Sequence, residues 1–383
     1  MTQNISGDVI FNQDERVAPL SVVAMQGANE LGDKINEHLM RWATQAGEEA
    51  NSFLIKSDCP RFSNGDGKGL IKSSIRGDDL FILVDVGNYS CTYRMFGREN
   101  NMSPDDHYQD LKRIIQAAGG KAHRINVIMP MLYGGRQHRR NHRESLDCAV
   151  MLQELEQMGV SNLVCFDAHD PRVCNAVPLM GFDSVIPSYQ VLKSLFKNVN
   201  DIIPDRDHLM IVSPDEGAIN RNMFYASLLG VDLGMFYKRR DYSRIVNGRN
   251  PIVAHEYLGN DVKGKDIFIA DDIISSGESV LDMAYELKKR NAGRIYCYAT
   301  YAIFTNGLAV FDKAVEEGII SGVLGTNLTY LTEALKTRPW FHEVDVSKYI
   351  AYFISALNHD VSVSRIIDPH ERIEKLLARY RSK

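Results

Sequence analysis

Short apolar runs and longer amphipathic stretches alternate along this chain. Leu20–Met25, Leu80–Val86, Ile125–Met131, Leu163–Phe166, Leu209–Val212, Asp232–Tyr237, Ile267–Ala270 and Ile295–Ala302 read as strands. Glu30–Trp42, Tyr108–Ala118, Leu146–Met158, Asn220–Leu229 and Val280–Arg290 carry apolar residues at helical spacing. Leu111, Ile114 and Ile115, for example, share one face of their segment. Short apolar strands alternating with helices predict parallel sheets covered on both faces, an α/β fold. Ligands in such folds gather beyond the carboxyl ends of the strands. Two stretches break the alternation. Gly87–Asp106 is polar, rich in Asn, Gly and Arg, and reads as a long surface loop. Tyr242–Pro251 is also irregular and holds Arg244, Asn247, Gly248 and Arg249. From Asp345 a helical pattern runs into a basic tail, Arg379–Lys383, read as a solvated end.

The chain has 383 residues, room for two ordinary domains, and its 44% hydrophobic and 24% charged composition fits a soluble globular protein. Its net charge of −5 supplies no global basic field for nucleic acid, so local basic clusters are read as sites. The polar N-terminus lacks the apolar core of a signal peptide, and no apolar run reaches the length of a membrane span. Cys59, Cys91, Cys148, Cys165, Cys174 and Cys297 are scattered without a Cys-x-x-Cys pair. They read as reduced thiols of a cytoplasmic protein rather than as disulfides or a structural zinc site.

Three predicted strands end at acids. Leu163–Phe166 leads into Asp167-Ala168-His169-Asp170, and Leu209–Val212 into Ser213-Pro214-Asp215-Glu216-Gly217. Ile267–Ala270 leads into Asp271-Asp272, a turn of small residues with Gly277, and a helix. An acid at one strand end commonly only caps or terminates. Three together, one with a histidine, favour a metal–phosphate cleft. In the third, turn amides and a helix N-terminus offer N–H groups to a phosphate, and the carboxylates suit sugar hydroxyls or a hydrated divalent metal. Beyond the strand at 125–131, Gly134-Gly135-Arg136-Gln137-His138-Arg139-Arg140 pairs close backbone approach with guanidiniums and a Gln137 suited to polyphosphate or a nucleobase. Tyr237-Lys238-Arg239-Arg240-Asp241 ends another strand and could close cations over an anionic substrate. Arg61-Phe62-Ser63-Asn64-Gly65-Asp66 is a tight polar turn after an aromatic; alone it reads as just a turn.

Taken in order, these motifs carry a resemblance. The chain resembles the ribose-phosphate pyrophosphokinase family, also called phosphoribosyl pyrophosphate synthetases. The likeness rests on Arg61–Asp66, Ile75–Asp79, Arg136-Gln137, Asp167–His169, Val212–Gly217, Lys238–Arg240, the Asp271-Asp272 loop and Tyr298–Phe304. It runs from about Val22 to Thr329. The resemblance implies two phosphoribosyltransferase-like domains, each a mostly parallel sheet flanked by helices. These would be 18–186 on the ATP side and 187–383, with a C-terminal helical extension, on the ribose 5-phosphate side. It further implies transfer of pyrophosphate from ATP to ribose 5-phosphate with Mg2+, in a homo-oligomer, a dimer or a hexamer built from dimers. Carried over by position, Phe62, Asn64, Gly65, Asp66, Arg136 and Gln137 would contact ATP. His169 and Asp215 would hold metal, and Lys238, Arg240 and His169 would serve catalysis. Asp271, Asp272, Ser275, Ser276, Gly277, Glu278 and Ser279 would bind ribose 5-phosphate.

The chain departs from the family pattern in two loops. Asn64-Gly65-Asp66 stands for the usual Asp-Gly-Glu. In the sugar loop Ser275 stands for a carboxylate and Glu278 for a glycine, which puts a negative charge beside the expected phosphate. The loops at 43–60, 87–106 and 241–252 and the C-terminal stretch are longer than the family's. An active pyrophosphokinase is the leading expectation. A non-catalytic regulatory paralogue of a synthetase and a phosphoribosyltransferase stay open beside it.

Overall fold

Strand-forming runs that are buried on both faces place two parallel sheets in the computed structural model. It describes residues 15–49, 51–199, 201–240 and 252–381. The expected irregular stretch with Arg244, Asn247, Gly248 and Arg249, the first fourteen residues and the last two residues of the basic tail lie outside the described residues.

The first unit is built from β1 (Leu20–Ala24), α1 (Asn29–Gln45), the short antiparallel pair β2 (Ser57–Asp58) and β3 (Leu70–Ile71), and β4 (Asp79–Leu83). It continues with β5 (Thr92–Met95), β6 (Arg98–Asn101), α2 (Pro104–Ala118), β7 (Arg124–Ile128), α3 (Asp147–Gln157), β8 (Val160–Phe166) and β9 (Gly181–Val185). Its main sheet runs β1-β4-β7-β8-β9, every neighbouring pair parallel. The periodic face of α2 (Leu111, Ile114, Ile115) and that of α3 (Met151, Leu152, Leu155) bury against Ile82, Val127 and Leu163. The predicted surface loop at 87–106 is corrected here. β5 and β6 form a hairpin, and α2 already begins at Pro104, fixed by a reciprocal capping box between Ser103 and Asp106.

The second unit holds α4 (Ser188–Asn198), β10 (Leu209–Ser213), α5 (Ile219–Leu229), β11 (Asp232–Arg240), β12 (Ile252–Leu258), β13 (Asp266–Ile274), α6 (Glu278–Lys289) and β14 (Ile295–Ala302). After these come α7 (Ala309–Glu316), β15 (Gly322–Thr326), α8 (Glu333–Lys336) and β16 (Phe341–Val344). The sheet order is β12-β11-β10-β13-β14-β15-β16, parallel throughout except for the antiparallel pair β11–β12. Two expectations change. β13 does not stop at Ala270 but continues through Asp271 and Asp272 to Ile274. β11 runs past Tyr237 to Arg240, so the Lys238–Arg240 string forms the end of the strand itself, paired with β12.

The chain then returns. Helices α9 (Ser347–Asn358) and α10 (Ser364–Ile367) belong to the first unit with 327–330, while α11 (His370–Arg381) packs with α4 and α5 in the second. The compact units thus differ from a simple division at 186/187. The cause is a buried polar network. Arg124 holds the Asp79 carboxylate through Nε (2.9 Å) and Nη2 (2.7 Å), and Asn126 and Asn358 Nδ2 donate to the same carboxylate at 2.7 and 3.0 Å. Trp42 of α1 also packs on Tyr352 of α9, ring centres 4.8 Å apart.

Candidate active site

The sugar-phosphate motif sits where β13 gives way to α6. Asp271 and Asp272 are strand residues, Asp272 buried and Asp271 partly so. Asn222 of α5 fixes this end of the strand. Its Nδ2 donates to the Ala270 carbonyl at 2.8 Å, and its Oδ1 accepts from the Ala270 amide at 3.2 Å. One helical residue earlier, Arg221 brings Nη1 to 3.6 Å from Asp271 Oδ1. Burial and the adjacent Asp272 carboxylate raise the Asp271 pKa well above the usual value, and Arg221 opposes them. A group in that condition gains from any new cation or hydroxyl donor.

The turn after β13 is set by two constraints on one residue. Gly277 has φ +83°, and a Cβ there would lie 2.3 Å from Phe311 Cε2. Only glycine meets both, and α6 starts at the next residue with no side-chain cap. Glu278 N–H donates to Ser276 Oγ at the long distance of 3.5 Å, and the uncapped start of α6 offers its amides to an anion. The loop's far wall is Thr305, whose N–H donates to the Ser275 carbonyl at 2.9 Å and whose Oγ1 lies 3.3 Å from Ser275 Oγ. Ser276 is half-buried, and Glu278 and Ser279 are exposed. In the neighbouring β10–α5 loop, Asp215 Oδ1 accepts from the Ala218 amide at 3.2 Å.

In the first unit the Arg61–Asp66 turn is held by its own backbone. Phe62 N–H donates to the Asp66 carbonyl at 2.7 Å, and Gly65 N–H to the Phe62 carbonyl at 2.9 Å. Asn64 Nδ2 donates to Asp66 Oδ2 at 2.7 Å. Arg61 anchors the turn to α2 by a two-pronged bond to Asp110 (2.8 and 2.9 Å). Phe62 is 56% exposed, a large apolar ring left mostly in water.

The structure brings the 134–140 loop against the His169 segment. His138 Nδ1 is 3.2 Å from Asp170 Oδ2, and its ring centre is 5.3 Å from that of His169. Arg172 binds the Asp170 carboxylate and holds it far below the ordinary carboxylate range. Arg136 is exposed beside Gln137, whose Nε2 donates to the Ser145 carbonyl at 2.9 Å. A cavity of about 470 Å³ opens nearby between α2 and α3. Its carboxylates Asp105, Asp106, Asp147 and Glu154 repel polyanions, so it is not a site for ATP or a sugar phosphate.

The expected residues therefore fall in two groups. Phe62, Asn64, Gly65, Asp66, Arg136, Gln137 and His169 belong to the first unit. Asp215, Lys238, Arg240, Asp271, Asp272 and Ser275–Ser279 belong to the second. Sequence reasoning named His138 within the 134–140 loop without a role of its own, and missed Arg221 and Thr305. The polar triplet Asn220-Arg221-Asn222, opening a helix after an acidic strand end, was the available signal for Arg221.

Parallel sheets with phosphate-type turns at their strand ends define a two-domain protein of the phosphoribosyltransferase type. Residues 20–159 match the N-terminal domain of ribose phosphate pyrophosphokinase, and residues 186–312 match the phosphoribosyl transferase domain. The chain belongs to the ribose-phosphate pyrophosphokinase family, a family of kinase-type transferases of nucleotide biosynthesis. Among curated relatives, the ribose-phosphate pyrophosphokinase of Staphylococcus saprophyticus is 24% identical over 94% of this chain and 100% of its own. That of Chromobacterium violaceum is 28% identical over 82% and 88%. The phosphoribosylpyrophosphate synthetase of Mycobacterium smegmatis shares the fold, with a TM-score of 0.70 and 21% identity over 89% of this chain and 99% of that one.

Proposed function

We propose that this protein transfers the β,γ-pyrophosphoryl group of ATP to the C1 hydroxyl of ribose 5-phosphate. The C1 oxygen attacks the β-phosphorus, and the bond from that phosphorus to the α,β-bridging oxygen breaks. AMP leaves with the bridging oxygen, the hydroxyl proton passes to water, and phosphoribosyl pyrophosphate is formed. One observation carries this reading. A nucleotide-type turn at Arg61–Asp66 and a sugar-phosphate strand end at Asp271–Ser279 occur on one chain, in family order.

The residues divide the work by chemistry. Phe62 stacks on the base, and Asn64, Gly65, Asp66, Arg136 and Gln137 position the nucleotide. The amides of Ser276–Ser279 hold the 5-phosphate, while Asp271 and Asp272 accept hydrogen bonds from the ribose hydroxyls. Lys238 and Arg240 offset the charge on the group in transit. Such electrostatic donors are typically worth a few kcal/mol of barrier each.

Mg2+ fits this donor set. It takes one or two carboxylates and fills its shell with water and phosphate oxygens. Among the described residues no group of three or more His, Cys, Asp or Glu side chains forms a protein-only cage. The oxygen donors at the strand ends suit an ion that arrives with the substrates' phosphates. His169 and Asp215 are the assigned contacts, and metal held there would neutralise phosphate charge. The six free thiols fit a reducing cytoplasm, and no described helix is long and apolar enough to cross a membrane. By its family the protein is expected to work as a homo-oligomer.

The test is AMP formation from ATP. It should require both ribose 5-phosphate and Mg2+. A folded protein that releases no AMP under those conditions removes the proposal.

A further inference from the structure

The hairpin β5–β6 breaks a rule of its own turn. Phe96 and Gly97 are its two central residues, flanked by the pair Met95–Arg98. Both have positive φ, +49° and +75°, the pattern of a type I′ turn. That conformation favours Asn, Asp or Gly at the first position. Phe is bulky, and a bulky residue at positive φ is strained. Its ring recovers nothing by burial, since Phe96 is 77% exposed. Strain and exposure of a large apolar side chain at one position point to a use outside the fold.

The hairpin tip does not stand free. Phe96 N–H donates to the Ser63 carbonyl at 2.8 Å, one residue from Phe62. A Cβ on Gly65 would sit 2.6 Å from Met95 Sδ, so the hairpin packs directly on the turn. Arg61 lies over the Tyr93 ring at 5.1 Å, and Lys68 over the Phe62 ring at 5.9 Å. Two exposed aromatics, Phe62 and Phe96, are therefore carried on one hydrogen-bonded platform, with cations at its edge.

We infer that the β5–β6 hairpin forms part of the nucleobase site, and that Phe96 supplies a second apolar contact to a purine held at Phe62. The inference rests on the assignment of Arg61–Asp66 to ATP and adds a residue to it. The backbone bond to Ser63 keeps the tip in register with the turn. The strained turn keeps the ring in water until a base covers it.

Phe96→Asn is the informative variant. It removes the ring and places at the turn a residue that I′ geometry prefers, so the hairpin should fold as well or better. ATP affinity is measured by calorimetric titration of the full chain with Mg·ATP, for wild type, Phe96→Asn and Phe62→Ala. Each substitution should weaken ATP about tenfold, the size of one lost base–aromatic contact. In turnover, Phe96→Asn should raise the KM for ATP, leave kcat within about twofold and leave the KM for ribose 5-phosphate unchanged. If Phe62→Ala weakens ATP and Phe96→Asn does not, the hairpin inference is wrong and the pyrophosphokinase reading stands. If wild type binds ATP and both variants weaken it, but no AMP forms with ribose 5-phosphate, the hairpin inference stands and the pyrophosphokinase reading falls. If neither variant changes ATP affinity, the turn is not the nucleobase site and the inference falls with it.

Discussion

Arg221 Nη1 stands 3.6 Å from Asp271 Oδ1, which sets a cation against a carboxyl whose pKa burial and Asp272 both raise. Below that raised pKa, Asp271 is protonated and has one lone pair fewer to offer a ribose hydroxyl. Substrate capture should therefore strengthen as pH rises through it. Arg221→Gln removes the opposing cation, so the acidic limb of kcat/KM for ribose 5-phosphate should move to higher pH, and Arg221→Lys should move it less. At neutral pH the Gln variant should lose about tenfold in kcat/KM, in the range of one charged contact. The pH profile is the check. A uniform drop without displacement of the limb would mean that Arg221 does not act through Asp271.

Gly277 answers to backbone and neighbour at once. Alanine there must adopt φ near +83° and place its Cβ 2.3 Å from a Phe311 ring carbon. Phe311 cannot yield cheaply, because it is buried against Phe304 and Trp340, with ring centres at 4.8 and 5.9 Å. The left-handed backbone alone should cost about 1–2 kcal/mol. Gly277→Ala is expected to lower the melting temperature and raise the KM for ribose 5-phosphate more than tenfold. Adding Phe311→Leu should relieve the clash but not the backbone strain, and so should not restore the KM. Full recovery in the double variant would show that the left-handed turn is dispensable.

A buried carboxyl in the first unit gives a stability test. Burial pushes the Asp85 pKa up to about 7, against hydrogen bonds from the Gly87 amide (2.9 Å), Thr329 Oγ1 (3.1 Å) and the Tyr330 amide (3.0 Å). The unfolded value is about 4, so between about pH 4 and 7 the folded state binds more protons than the unfolded state. Stability from this group is fully present below that window and is lost as pH rises through it. The loss is up to about 4 kcal/mol, from three units at about 1.4 kcal/mol each. Thermal melts of wild type and Asp85→Asn from pH 4.5 to 8 isolate the effect as a difference. Wild type should fall steadily relative to the variant, then level off. A pH-independent difference would show that Asp85 is ionised throughout.

Much of this was legible in the sequence, and the gaps have physical causes. β1, β4, β10 and β14, with the Leu163–Phe166 part of β8 and most of β7, are largely apolar runs buried on both faces, so their hydrophobicity announced them. β13 was cut short because Asp271 and Asp272 look like a strand terminator. Asn222 and Arg221, on another element, are what let the acids remain in the sheet. The β5–β6 hairpin was invisible because the alternation of Tyr93 and Met95 is only two residues deep, β6 is wholly polar, and the turn lacks the Asn-Gly signal. The return of α9 to the first unit hangs on Asn358, which bonds Asp79 from 279 positions away along the chain beside Arg124. Local pattern holds no trace of such a contact. The site motifs were readable as a set, while Arg221 and Thr305, which contact them, came only with the fold.

The sugar loop supplies the last prediction. By the resemblance, Ser275 stands where a carboxylate is expected and Glu278 where a glycine is expected. Glu278 is exposed in the first turn of α6, where an acid favours the helix and competes with an incoming phosphate for the same positive end. Ser275 Oγ already lies 3.3 Å from Thr305 Oγ1, so an aspartate there would have a hydroxyl donor and would face the ribose as a further acceptor. Neither position touches the pyrophosphoryl group in transit on this assignment. Ser275→Asp and Glu278→Gly should each lower the KM for ribose 5-phosphate, together by about tenfold, with kcat within about twofold of wild type. Glu278→Gln separates charge from backbone freedom: it should reproduce most of the gain of the glycine variant without loosening the start of α6. Steady-state kinetics in ribose 5-phosphate decide the matter. A collapse of kcat at unchanged KM would mean that the loop acts on the reacting groups and not on sugar capture.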